Sequence, residues 1–115
     1  MPVNILVADD DKGMLAVYKR IFSRTDYSIS LASSFTEAAG LIASNNYDLL
    51  ITDLRLQDGL GTELIKLFEK KRDGAKSLLV TGSVSSLDPA LLPTVYFEKP
   101  FKLEVFMAAV ARALS

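Results

Sequence analysis

The sequence predicts an α/β fold, a parallel β-sheet flanked by helices. Short apolar runs at 5–8, 49–52, 78–80 and 95–97 alternate with longer stretches whose apolar residues recur at helical spacing, the pattern of repeated βα units. Each run also leads directly to residues that carry chemistry: Asp9 and Asp10, then Asp53, then Thr81, and finally, after Glu98, Lys99 with Pro100. In a parallel sheet the carboxyl ends of all strands share one edge, where open α/β folds bind their ligands. Three carboxylates, a hydroxyl and an ammonium far apart in the chain are therefore expected to converge.

The first strand is expected over 4–8, and a helix over 12–23 with Met14, Leu15, Tyr18, Ile21 and Phe22 on one face. Residues 28–32 form a shorter, weaker strand that belongs at the periphery. Thr36 is the expected cap of a helix over 36–44, and Asn45, Asn46 and Tyr47 break the pattern before a third strand at 48–52. A loop over 54–61 is marked by Asp58, Gly59 and Gly61. The helix over 62–72 is expected to bury Leu64, Ile65, Leu67 and Phe68. It should end in a solvated basic cluster of Lys70, Lys71 and Arg72, with Gly74 as its stop. Strands at 77–80 and 95–98 follow, then a helix over 103–114 with Phe106, Ala109, Val110 and Ala113 inward. Between those strands, 85–94 has room for only about one or two helical turns, opened by Asp88 and Pro89 and stopped at Pro93.

With 115 residues the chain is expected to be one domain, 1–115, ending with its last helix and carrying no output domain. A net charge of −1 offers no basic surface for nucleic acid. No cysteine is present, which removes disulfides and thiolate metal sites and fits a reducing compartment. There is no histidine either, so imidazole metal sites and Ser-His-Asp catalysis are excluded, and any phosphohistidine must belong to a partner. No run has the length of a membrane span, and no signal peptide precedes the first strand; a cytoplasmic protein without a membrane partner is the expectation.

Asp11 suits the start of the first helix, where a carboxylate caps free N–H groups. Two further adjacent carboxylates, Asp9 and Asp10, would repel one another there unless a cation neutralised them. Mg²⁺ takes oxygen ligands, usually one or two carboxylates with waters. Asp53 can act as a nucleophile or a ligand at the end of its apolar strand. Lys99 can make a charge-assisted contact to a phosphoryl oxygen, and Thr81 can donate a hydroxyl hydrogen bond to it. Gly82 leaves room for a close neighbour, and the Lys99–Pro100 bond is a candidate cis peptide that would aim the ammonium inward. In-line phosphoryl transfer needs mainly positioning and charge neutralisation, which these side chains provide.

Over essentially its whole length the chain resembles a response-regulator receiver domain of two-component signalling. The residues that carry the resemblance are Asp9 and Asp10 after the first strand, Asp53 after the third, Thr81 and Gly82 after the fourth, and Tyr96 followed by Lys99, Pro100 and Phe101. The resemblance implies a flavodoxin-like three-layer fold, a five-stranded parallel sheet of order 2-1-3-4-5 with helices on both faces, an order for which a receiver protein is the standard illustration. It implies that Asp53 is the phosphoacceptor for a phosphohistidine, supplied by a sensor histidine kinase or a histidine phosphotransfer protein. Asp10, Asp53 and the backbone carbonyl of Arg55 would ligate Mg²⁺, with Asp9 acting directly or through water. Thr81 would move toward the phosphoryl oxygen and Tyr96 would change rotamer into the vacated space. Such a protein is a switch that assists its own phosphorylation and dephosphorylation, not an enzyme with a separate substrate.

The sequence departs from the family pattern in two places. Gln57 stands where receivers often carry proline. The stretch between Thr81 and Lys99 is about four residues shorter than usual, which shortens the fourth helix and puts the usual output or dimer surface in question. Arg55 and Ser83 resemble positions that flank the phosphoryl group and tune its hydrolysis. Two alternatives follow. One is a receiver-fold interaction module that signals without phosphorylation. The other is a phosphatase of the haloacid-dehalogenase type, whose Asp-x-Asp spacing Asp9 and Asp11 would satisfy while leaving Asp53 without a role.

Overall fold

The computed structural model describes residues 3–81, 96–98 and 102–115. In chain order the elements are β1 (Asn4–Ala8), α1 (Lys12–Phe22), β2 (Ser28–Ala32), α2 (Phe35–Ser44), β3 (Leu49–Asp53), β4 (Arg55–Leu56), β5 (Gly59–Leu60), α3 (Gly61–Lys71), β6 (Lys76–Thr81), β7 (Tyr96–Glu98) and α4 (Leu103–Leu114). Five strands form one sheet of order β2-β1-β3-β6-β7, and every neighbouring pair is parallel. This is the expected 2-1-3-4-5 arrangement, with the weak second strand at the edge. The small strands β4 and β5 pair antiparallel as a separate hairpin inside what the sequence marks as a loop.

Successive strand residues point to opposite faces, so the apolar runs feed two cores. Leu6, Ala8, Leu50 and Leu79 pack with Ala38 and Ile42 of α2 and Leu64, Ile65 and Phe68 of α3. Ile5, Val7, Leu49, Ile51, Leu78 and Val80 pack on the other face with Tyr18 and Phe22 of α1 and Phe106 and Val110 of α4. The rings of Tyr18, Phe22 and Phe106 meet at tilted or edge-on angles, with centroids 5.9 Å and 6.3 Å from Phe106. Burial on both faces is why the strands read as continuous apolar runs. Among the described residues no helix is long and apolar enough to cross a membrane.

Several local expectations are corrected. Ser34, not Thr36, caps α2: its backbone is extended and its Oγ accepts the Glu37 N–H at 3.0 Å. Glu37 in turn accepts the Ser33 N–H at 2.8 Å. Thr36 sits inside the first turn, where its hydroxyl donates to Asp58 across the molecule. Leu67 is 41% exposed instead of buried. The buried stripe runs through Leu64, Ile65 and Phe68, and at 3.6 residues per turn Leu67 lies roughly a third of a turn away from its centre. The basic end of α3 is not merely solvated. Lys71 donates to the carbonyls of Ile42 and Asn45 at the C-terminus of α2, and Arg72 donates to the Tyr47 carbonyl and pairs with Asp48 at 3.1 Å. Arg72 leaves the helix in an extended conformation to do so. Gly74 then takes the left-handed φ of 73°. The short helix expected over 85–94, and Gly82, Ser83, Lys99 and Pro100, lie outside the described residues.

The first turn of α2 depends on a remote carboxylate. Asp58, at the hairpin tip, accepts the Phe35 N–H at 2.6 Å, the Thr36 N–H at 3.0 Å and the Thr36 hydroxyl at 2.6 Å. The hydroxyl bond foremost, then the two N–H bonds, hold the Asp58 carboxyl below its ordinary value of 3.8. Because the folded value is depressed, the stabilisation is complete above the unfolded value and is lost as pH falls through the folded one. Unfolding midpoints measured from pH 6 down to 2.5 should therefore fall less steeply below about pH 4 for Asp58→Asn than for the parent; equal slopes would contradict this.

Candidate functional site

Register decides which residues meet at the carboxyl edge. β1 pairs with β3 so that Ala8 lies beside Thr52, and the next residues on each strand are Asp9 and Asp53. The Asp9 N–H donates to the Ala32 carbonyl at 3.0 Å, which keeps this residue fastened to the β2 side of the sheet. Asp53, the last residue of β3, lies beside Val80, and Leu54 N–H donates to the Val80 carbonyl at 3.2 Å.

Carboxylate oxygens of Asp9, Asp10 and Asp53 all come within 4.8 Å of one another. Their surroundings differ. Asp9 is fully buried and accepts the Asp11 N–H at 2.9 Å; Asp53 is half-buried and Asp10 exposed. Asp11 does what its position predicts: it caps α1, accepting the Gly13 N–H at 2.8 Å. One buried and two accessible carboxylates, all oxygen donors, form a donor set suited to a hard divalent cation. The two accessible groups match the one or two carboxylates that Mg²⁺ takes, and the buried Asp9 adds a third carboxylate beside them.

The backbone behind Asp53 is packed without slack. Thr52, itself buried, donates its hydroxyl to the Asp53 carbonyl at 2.9 Å. The first residue of α3 is Gly61, and a Cβ there would stand 2.0 Å from that same carbonyl oxygen. Gly61 N–H donates to the Leu54 carbonyl at 2.6 Å, closing the hairpin at its base. Arg55 follows two residues after Asp53 on β4, with its side chain exposed.

Tyr18 belongs to this region although its spacing in the sequence marks it only as a core residue. It is 1% exposed, and burial first, then the charges of Asp9 and Asp53, push its phenol above the ordinary tyrosine value. A helical side chain leans back toward the N-terminus, so a tyrosine two turns into α1 carries its hydroxyl toward the acidic edge. The one signal in the sequence is the hydroxyl itself, on a helix face that apolar residues would fill.

Of the other residues expected here, Thr81 ends β6 with its Cα beside that of Glu98, and Tyr96 opens β7 beside Leu79. Both backbones thus belong to the strands that flank Asp53 on one side. Lys99, Pro100, Gly82 and Ser83 lie outside the described residues.

The family model of the response regulator receiver domain matches residues 5–111. Response regulator MprA of Mycobacterium sp. (strain KMS) is 34% identical over 99% of the chain, and MprA of Mycobacterium tuberculosis (strain ATCC 25177 / H37Ra) is 33% identical. The chain spans about half the length, 51%, of these curated relatives. A CheY-like response regulator receiver domain protein from Methanospirillum hungatei JF-1 superimposes with a TM-score of 0.89 at 27% identity, covering 99% of this chain and 94% of that one. Response regulator protein TrrA from Thermotoga maritima, solved in complex with Mg(2+)-BeF, gives 0.85 at 28% identity, covering 97% and 99%.

Replacing Gly61 with alanine forces the start of α3 away from the Asp53 carbonyl. Urea unfolding should show a loss of about 1–3 kcal/mol, whereas a parent-like midpoint would mean that this approach is not tight.

Proposed function

The chain belongs to the response-regulator receiver family of two-component signalling, and from that premise we propose that it is a phosphorylated switch with Asp53 as acceptor. The donor is a phosphohistidine on a sensor histidine kinase or histidine phosphotransfer protein, since this chain has no histidine of its own. A carboxylate oxygen of Asp53 attacks phosphorus, and the P–N bond breaks with its electron pair leaving on the imidazole, which takes up a proton. The product is an acyl phosphate on Asp53.

The observation that carries this proposal is the meeting of Asp9, Asp10 and Asp53 within 4.8 Å, with Asp53 half-buried at the open edge of the sheet. Asp10, Asp53 and the Arg55 backbone carbonyl would hold Mg²⁺, with Asp9 reaching it directly or through water. When bound, the ion offsets the negative charge brought by the phosphoryl group. Lys99 is assigned the contact to a phosphoryl oxygen and Thr81 the hydroxyl hydrogen bond. Thr81 and Tyr96 are assigned the switch, a shift of population bounded by how differently the phosphoryl group interacts with the two states. Arg55, Gly82 and Ser83 are assigned the positions that flank the group and tune its lifetime.

The Asp-x-Asp hydrolase alternative is disfavoured by Asp11, whose carboxylate is engaged in capping α1 at Gly13. Incubation with Mg²⁺ and acetyl phosphate, or with a beryllium fluoride salt, should give a saturable adduct of one group per chain, read by mass spectrometry or fluorine NMR, and Asp53→Asn should abolish it. Absence of any adduct in the parent would favour the interaction module; turnover of unrelated phosphate esters would favour the phosphatase.

A further inference from the structure

The hairpin that follows Asp53 is held at both ends, and one hold comes from a different part of the chain. At its base, Gly61 N–H donates to the Leu54 carbonyl at 2.6 Å, and Leu56 is buried among the residues that pack with α2 and α3. At its tip, Asp58 takes both N–H groups of Phe35 and Thr36 and the Thr36 hydroxyl. The contact is steric as well as polar, because a Cβ on Gly59 would stand 2.7 Å from the Phe35 ring. Arg55 lies between these two anchors, paired with Leu60 across the hairpin.

The tip contact also completes the start of α2. A helix leaves its first N–H groups without intrahelical partners. Ser34 satisfies the Glu37 N–H, and the N–H groups of Phe35 and Thr36 go to a carboxylate 22–23 residues away in sequence. A carboxylate at a helix N-terminus is favoured by the macrodipole. Asp58 therefore joins two structures that have no covalent reason to move together: the segment just after the acceptor and the first turn of α2.

We propose that Asp58 is a positioning residue for the carboxylate cluster: by clamping the hairpin tip to α2 it holds in place the segment that carries the Arg55 backbone carbonyl, the group assigned above to the cation site. The inference rests on the cation site assigned above and goes beyond it by naming what sets that site's affinity. Coupling is reciprocal. If the clamp raises cation affinity, cation binding must tighten the first turn of α2 by the same factor.

Mg²⁺ binding measured by calorimetry, with no phosphodonor present, tests this directly. Asp58→Ala should bind Mg²⁺ about tenfold more weakly than the parent, a coupling within the usual range. Thr36→Val, which removes only the hydroxyl bond, should weaken binding by a smaller factor and serves if Asp58→Ala does not fold. Ile42→Val, a core change two turns along α2 from Phe35, should lower the melting temperature without altering Mg²⁺ affinity. Hydrogen exchange at the Phe35 and Thr36 amides should slow when Mg²⁺ is added to the parent. Unchanged affinity in the Asp58 and Thr36 variants would overturn the proposal. So would equal weakening by Ile42→Val, or amide exchange at α2 indifferent to Mg²⁺. A parent that binds no Mg²⁺ would instead overturn the cation site itself and this proposal with it.

Discussion

Everything at the carboxyl edge depends on the parallel pairing of β1 with β3. That register sets Ala8 against Thr52, and so brings the acids that follow each strand to one place. The carboxylates oppose the arrangement. Like charges about 4 Å apart repel by about 1 kcal/mol in bulk water and about 4 kcal/mol at an effective dielectric of 20. The apolar strands oppose that repulsion, since Ile5, Leu6, Val7, Leu49, Leu50 and Ile51 are all fully buried. The sheet thus sets the Asp9, Asp10 and Asp53 carboxylates side by side, a grouping consistent with the cation site proposed above.

The neighbouring backbone allows the site little freedom. Thr52 and Gly61 both crowd the Asp53 carbonyl, and the Asp9 main chain is bonded to β2 while its side chain accepts from Asp11. The hairpin closes at Leu54 and docks on α2 through Asp58. Catalytic and binding groups held within small tolerances lose little entropy on engaging a ligand, which is the physical value of such confinement. Beside this part of the site, Thr81 and Tyr96, the residues proposed above as the switch, stand on the adjoining strands β6 and β7.

Much of this architecture can be read from the chain because the sheet is buried on both faces. Continuous apolar runs ending in Asp9, Asp53 and Thr81 signal strands and their functional ends together, and α4 follows the helical spacing of Phe106, Ala109, Val110 and Ala113. Long-range polar contacts escape that kind of reading. Nothing local to Ser34 or Thr36 reveals that Asp58 will take up the N–H groups of the first turn; the cap itself, two residues before the one expected, is legible locally as Ser34 with Glu37 three residues on. The same holds for Lys71 and Arg72, whose charges look solvated until α2 and β3 are placed beside them. Leu67 fails for another reason: Leu64, Ile65, Leu67 and Phe68 fall within five consecutive residues and fan out over nearly half the circumference of the helix, which puts Leu67 beyond the edge of the buried stripe. Tyr18 hides its hydroxyl in a run of core residues.

The central claim, that folding gathers three carboxylates at one edge where a cation can bind them, is tested most directly by thermal unfolding of the parent and Asp10→Asn with and without Mg²⁺. Without the ion, Asp10→Asn should melt a few degrees above the parent. With Mg²⁺ at a hundredfold excess over its Kd, the parent should gain about 2.7 kcal/mol, while Asp10→Asn gains far less. A parent whose melting temperature ignores Mg²⁺, or an Asp10→Asn variant that melts below it in the absence of the ion, would contradict the account.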